Sequence, residues 1–260
     1  MNCSQNKPGT KVRLDNYLVS AGLVESRSRA QAILMAGKVF VDGERITRAG
    51  HQVRGGENIQ IKVPDHPYVS RGGLKMEAAL KDLPVDFSGL HVMDVGASTG
   101  GFTDCLLQHG ARSVIAVDVG YGQLHWKLRK DPRVTVLERT NIRHLERDVL
   151  GEVPQGAVID VSFISLRLVL PVTLKLLAEC AQLVLLVKPQ FELERGAVGK
   201  KGVVRDEKDR LRAVQQVLDV AQNEGLEILG WIPSPVMGPK GNKEFLVGAK
   251  RGGEVGTKRG

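Results

Sequence analysis

Cysteine, long apolar runs and several familiar motifs are scarce or missing in this sequence, and each absence closes a class of function. The 260 residues hold three cysteines, Cys3, Cys105 and Cys180. Their spacing makes neither a zinc pair nor a disulfide framework, which points to a reducing compartment. His109 and His125 lack partners at metal-ligand spacing, so no metal site is expected. No apolar stretch approaches the ~20 residues that cross a bilayer. The opening MNCSQNKPGTKVR lacks the apolar run of a secretory leader. A cytoplasmic protein with no membrane role is the expectation.

Positive charge is in excess. Lys and Arg number 37 against 29 Asp and Glu, a net charge of +8. The first 63 residues carry a net +5 and the remaining 197 a net +3. Such a balance favours polyanionic partners, with nucleic acid first among them. Two prolines in PDHPY suit a stiff linker, placed at 64–69. The glycine-rich, basic stretch RGGEVGTKRG (251–260) is expected to be a disordered tail.

The small part reads as helix, helix, hairpin, strand. RLDNYLVSAGL places apolar residues at 14, 17, 18 and 21 on one helical face, and Gly22 ends it. Ser26 caps a second helix with Ala30, Ile33 and Leu34 inward and Gly37 as its stop. KVFVDGERI is a strand, an Asp-Gly turn and a strand, and ENIQIKV is a further strand through Val63. Over residues 11–63 this order resembles the ribosomal-protein-S4-type RNA-binding module. The resemblance implies that Arg13, Arg27, Arg29 and Lys38 face RNA phosphates, and Arg71 in SRGGLK joins them. Guanidinium forks match phosphate oxygens, and such contacts position without reading sequence.

The large part alternates strand and helix. LHVMDVG, SVIAVDVG, RVTVLE, GAVIDVSF (156–163) and QLVLLVK are strands, and LEILGWI and KEFLVGA follow as two more. SLRLVLPVTLKLLA is a helix, and RDEKDRLRAVQQVLDVAQNEG is an amphipathic one with Leu211, Val214, Val217, Leu218 and Ala221 inward. This alternation predicts a doubly wound α/β sheet whose ligands gather beyond the carboxyl ends of the strands.

The first loop, DVGASTGGFTD, has neither the G-x-G-x-x-G register of a dinucleotide fold nor the Gly-Lys-Ser/Thr of a P-loop. Its glycines let backbone approach a ligand, and its acid, Asp94, suits a cationic ligand better than a pyrophosphate. Asp118, 24 residues on, closes the second strand and can accept from a ribose diol. Together these are the layout of S-adenosylmethionine (SAM) binding. After the fourth strand stands DVSFISL, without the proline pair of amino-group methylation. Cys105 and Cys180 are placed on helices and Cys3 in the leader, none positioned as a nucleophile for carbon methylation. Trp126 and Tyr121 are assigned to packing rather than to base stacking.

Lys75, Asp160, Lys188 and Glu244 fall before or at the ends of strands that share one sheet edge, provided the last strand runs antiparallel. SRGGLK, DVGASTGGFTD, AVDVGYGQL, ERTNIR, DVSFISL, LVKPQFE and GNKEF now carry a second resemblance. Residues 70–250 resemble the FtsJ-type ribose 2′-O-methyltransferases. With the S4-type module ahead, residues 11–250 resemble the TlyA family, also called hemolysin A. The implied fold is a Rossmann-like SAM-dependent methyltransferase sheet of seven strands, the last antiparallel, preceded by a small α+β S4-type domain.

The resemblance implies a catalytic tetrad of Lys75, Asp160, Lys188 and Glu244. It implies SAM held by Asp94, Gly96, Ala97, Ser98, Thr99, Gly100, Gly101, Phe102, Asp118, Val119, Asn141 and Asp160. Asp118 would take the ribose and Asn141 the adenine side. The implied substrate is ribosomal RNA, at a cytidine, with ribosomal subunits as partners and a monomer or weak dimer as the oligomeric state. Lys188 is read as general base or, if charged, as the group that orients the hydroxyl. Two rival readings remain open from sequence: an RNA-binding assembly factor without activity, and a membrane-lytic protein.

Overall fold

A computed structural model describes residues 11–24, 26–61, 66–199 and 201–252. Cys3, Val63 and the stretch 253–260 expected as a disordered tail lie outside them. The chain divides into two compact units, Met1–Asp65 and His66–Gly260.

In the first unit β1 (Val12–Arg13) leads directly into α1 (Leu14–Ser20). Ala21 caps that helix and is exposed, so the inward face consists of Leu14, Leu18 and half-buried Tyr17 without it. Ser26 accepts from Arg29 N at 3.2 Å and starts α2 (Arg27–Met35). Then come β2 (Val39–Val41), β3 (Glu44–Ile46), β4 (Gln52–Val53) and β5 (Ile59–Ile61). Asp42 and Gly43, both at positive φ, turn β2 into β3 as an Asp-Gly hairpin demands. The sheet order is β3-β2-β5, and β1 pairs separately with β4. Leu14, Leu18, Ala30, Ile33, Leu34, Val39, Val41, Ile46 and Val53 form its core.

The second unit opens with α3 (Gly72–Asp82), then β6 (His91–Val95), α4 (Gly101–Gln108), β7 (Ser113–Val117), α5 (Trp126–Arg129) and β8 (Val134–Leu137). It continues through β9 (Gly156–Ile159), α6 (Leu166–Leu174), β10 (Gln182–Val187) and α7 (Pro189–Glu192). It ends with α8 (Glu207–Asn223), β11 (Leu226–Pro233) and β12 (Phe245–Arg251). The seven strands lie in the order β11-β12-β10-β9-β6-β7-β8. Only β12 runs against its neighbours, being antiparallel to both β10 and β11. The sheet reverses direction of growth at β6, between β9 and β7, which is the place such folds bind ligands.

Strand alternation sorts the sheet's residues onto two covered faces. Met93, Ile115, Ile159, Leu185 and Val247 pack under α6 and α8. Val92, Val114, Val158, Val184 and Leu246 pack under α3 and α4 with Met76, Phe102 and Leu106. Four expectations change here. The fourth strand stops at Ile159, where the ladder to β6 and β10 ends, so Asp160–Phe163 is a loop. The helix after it stops at Leu174, which leaves Cys180 exposed in the turn before β10 rather than helical. Leu211 is exposed, because the buried stripe of α8 is Ala213, Val214, Val217 and Ala221. Arg251 belongs to β12 rather than to the tail.

Leu185 sits wholly buried at the centre of β10. Leu185→Ala should cost about 2–5 kcal/mol, read as a lower denaturation midpoint with unchanged slope. A loss below ~1 kcal/mol would mean that this strand is not central.

Candidate active site

The cleft begins where β6 ends. Gly96 follows at φ +86°, and a Cβ there would stand 2.3 Å from the Asp160 carbonyl oxygen. Only glycine lets the ends of β6 and β9 approach so closely. Gly100, at φ +91°, then turns the chain into α4. Two residues before Gly96, Asp94 is fully buried on β6. Its Oδ2 accepts from Thr103 Oγ1 at 2.6 Å and Thr103 N at 3.0 Å, while Oδ1 has no protein partner among the described residues. Burial pushes this carboxyl up to about 7.

Asp118 stands just past β7. Its Oδ2 accepts from Ser98 N at 2.8 Å and its Oδ1 from Gly120 N at 2.6 Å, so it fixes both loops that flank the cleft. Asn141 caps a short helical turn by accepting from Arg143 N at 3.1 Å. Asp118, Val119 and Asn141 line one cavity of about 550 Å³ with Gly96, Ser98 and Asp160. A second cavity, about 230 Å³, is lined by Asp94, the Gly96–Phe102 loop, Arg71 and Lys75, and shares Gly96, Ser98 and Asp160 with the first. Arg71 thus belongs to this cleft, whereas Arg13, Arg27, Arg29 and Lys38 belong to the first unit.

The four polar residues from separate elements arrive as two ion pairs. Lys75 on α3 reaches Glu244 Oε2 at 2.5 Å, across 169 residues of sequence. Glu244 is 1% exposed, and its Oε1 has no partner among the described residues. Lys188 caps α7 in an extended conformation (φ −115°, ψ 98°), as a residue before proline should. Its Nζ lies 2.5 Å from Asp160 Oδ1 and donates to Ser162 Oγ at 2.9 Å. The Asp160 contact is an ion pair rather than an aligned hydrogen bond. The Lys188 amine is therefore buried between an acid and a hydroxyl.

Several site residues were not singled out from sequence. Ser162 and Phe163 lie in what was read as strand. Phe163 is 90% exposed at φ +65°, its ring 5.1 Å from that of Phe191. An exposed aromatic in a left-handed backbone conformation beside a cleft is a mark of function. Glu192 is buried and ties α7 to the start of α6, accepting from Leu166 N at 2.9 Å and Ser165 Oγ at 2.5 Å. Tyr121 and Trp126 were assigned to packing, yet both are exposed, with Arg139 over the first ring and Lys130 over the second. Tyr121 extends from the loop after β7, and Trp126 opens the four-residue helix α5.

Comparison with known proteins decides the family. Residues 68–251 match the model of the FtsJ-like methyltransferases and residues 12–59 that of the S4 domain. The chain belongs to the FtsJ-like methyltransferase family. It is a methyltransferase with an S4 domain ahead of the catalytic unit. The 16S/23S rRNA (cytidine-2′-O)-methyltransferase TlyA of Mycobacterium tuberculosis is 43% identical, over 91% of this chain and 89% of that protein. A solved structure from Streptococcus thermophilus, named for hemolysin, is 42% identical with TM-score 0.72, covering 94% of this chain and 90% of that one. An S-adenosylmethionine-dependent methyltransferase from Mesorhizobium loti shares the fold alone, at 16% identity and TM-score 0.51 over 68% of this chain and 98% of its own.

Two outcomes follow for this FtsJ-like enzyme. Gly96→Ala should abolish methyl transfer, because its Cβ would meet the Asp160 carbonyl; near-normal activity would show that β6 and β9 need not approach so closely. Asp94 also makes stability depend on pH. Its folded-state value lies above the ordinary carboxyl range, so its contribution is complete below about pH 4 and is lost as pH rises through about 7. Without added ligand, Asp94→Asn should flatten the fall in melting temperature across that window. An unchanged slope would contradict the burial argument.

Proposed function

We propose that this methyltransferase uses SAM to methylate the ribose 2′-oxygen of ribosomal RNA, at a cytidine. The observation that carries the reading is the pairing of buried Lys188 with half-buried Asp160 beside the glycine loop, at the strand ends where the two cavities meet. The cleft suits SAM on its own terms. Gly96 lets the Asp160 carbonyl close against the loop, and Asp94 Oδ1, without a partner among the described residues, is matched to a cationic donor. Asp94, Gly96–Phe102, Asp118, Val119, Asn141 and Asp160 would hold it. When bound, SAM supplies a sulfonium-activated methyl group.

A ribose hydroxyl is a weak acid and a poor nucleophile, so the protein's task is placement and removal of one proton. Lys188 holds the 2′-oxygen in line. As the methyl is passed from the donor's sulfur to this oxygen, the hydroxyl proton would go to the Asp160 carboxylate, while Lys188, held by Ser162 and charged, would stabilise the oxygen that loses it. Lys75 and Glu244 fix each other and form the floor on which the ribose rests. Phe163, exposed one residue past Ser162, offers a stacking surface for a base. The S4 unit, through Arg13, Arg27, Arg29 and Lys38, holds RNA phosphates, and Arg71 does so at the cleft. The name of the Mycobacterium tuberculosis relative supports both ribosomal RNA and cytidine.

Among the described residues no helix is long and apolar enough to cross a membrane. The experiment is transfer from tritiated SAM to ribosomal RNA, followed by digestion to nucleosides. Label should appear in 2′-O-methylcytidine. Lys188→Ala should lower the rate about 10²–10⁴-fold, as loss of an acid–base group does, while SAM binding by calorimetry stays within a few-fold. Label on a base, or undiminished activity in the variant, would overturn the reading.

A further inference from the structure

We infer that Asp15 is a positioning residue that assembles Arg13 and Arg27 into one phosphate clamp on the S4 unit. This rests on the RNA-binding reading of that unit. The carboxylate is wholly buried at the start of α1. It accepts from Arg13 Nε at 3.1 Å and Arg13 Nη2 at 3.0 Å, a two-pronged fork. The same Oδ2 accepts from Arg27 Nε at 3.1 Å and from Gln31 Nε2 at 3.1 Å, and Oδ1 accepts from Asn16 N at 3.0 Å.

The local sequence builds this arrangement from three sides. Pairing of Arg13 with Gln52 fixes the backbone of β1 just before Asp15. The Ser26 cap sets Arg27 at the first position of α2. Gln31, four residues on, shares the face of Arg27 and reaches the same oxygen. Two guanidiniums that meet at one oxygen would otherwise repel each other, and the acid between them offsets that repulsion. It also spends their inner nitrogens. Arg27 engages through Nε, which leaves its two terminal nitrogens outside the contact with the acid. The two side chains remain 43% and 56% exposed. The result is a fixed pair of cations with a net single positive charge, shaped for phosphate oxygens.

A bystander acid and a positioning acid predict opposite signs. Removing a negative charge beside a polyanion site should strengthen binding on charge alone. If Asp15 positions the clamp, Asp15→Asn should weaken it although the protein becomes more basic. The test titrates the full chain with deproteinised 16S and 23S ribosomal RNA across a salt series. Asp15→Asn should bind about tenfold more weakly, with a log–log salt slope shallower by roughly 1–2, the share of one or two phosphate contacts. Arg13→Ala/Arg27→Ala should do the same. Adding Asp15→Asn to that double variant should cause no further loss, because the acid acts through the arginines.

Unchanged or tighter binding by Asp15→Asn, with the arginine variant weakened, overturns the inference and leaves the RNA reading standing. A further loss in the triple variant also overturns it, since unfolding of the unit would produce that pattern. If the arginine variant itself binds normally, this face is not the RNA site and the inference falls with that reading.

Discussion

The approach of Gly96 to the Asp160 carbonyl is the constraint on which the cleft depends. A Cβ at Gly96 would lie 2.3 Å from that oxygen, so the ends of β6 and β9 can be neighbours only with glycine there. Once they are, the loop over Gly96–Phe102 and the loop over Asp160–Phe163 share one opening. Asp160, just past the adjacent strand, then faces Lys188, and α3 supplies Lys75 to the cavity that Asp160 also lines. The parallel sheet's reversal at β6 makes room for a ligand; this contact decides what surrounds it.

The two ion pairs are devices of placement more than of stability. Burying Lys75, Glu244 and Lys188 costs desolvation that the attraction within each pair only partly returns. Removing one partner is worse, because it strands a buried charge. Such pairs are justified by holding charges in fixed directions where charge develops during reaction. Glu192 extends the same logic beyond the four residues. It fastens the turn after Lys188 to the segment after Asp160, so both members of one pair hang from a common tie. Asp15 does the corresponding work in the first unit, where the charges it arranges face outward.

Much of this was legible in the sequence, and the failures share a cause. The seven strands of the large sheet, the antiparallel last strand, the Asp-Gly hairpin and the Ser26 cap follow from periodicity and turn chemistry. So does the convergence of Lys75, Asp160, Lys188 and Glu244, because strand ends in this fold share one edge. What pattern reading lost was side-chain exposure and exact ends. DVSF has the composition of a strand, yet all four of its residues lie past the ladder, which ends where Ile159 pairs with Val95 and Leu185. Tyr121 and Trp126 look like core material, but one stands in a loop and the other at the start of a four-residue helix, and both are exposed. Leu211 fits a helical stripe one turn too early. That Lys75 reaches Glu244 at 2.5 Å and Lys188 reaches Asp160 at 2.5 Å needed coordinates, because sequence gives the edge and not the distances along it.

The central claim is that the methyl acceptor is a ribose oxygen held by Lys188. It is tested most directly by removing that oxygen and nothing else. Ribosomal RNA transcribed with 2′-deoxycytidine in place of cytidine keeps every base and phosphate. With tritiated SAM, single-turnover transfer to this RNA should vanish while binding to it persists. Transfer at the rate seen with unmodified RNA would place the methyl group elsewhere and contradict the account.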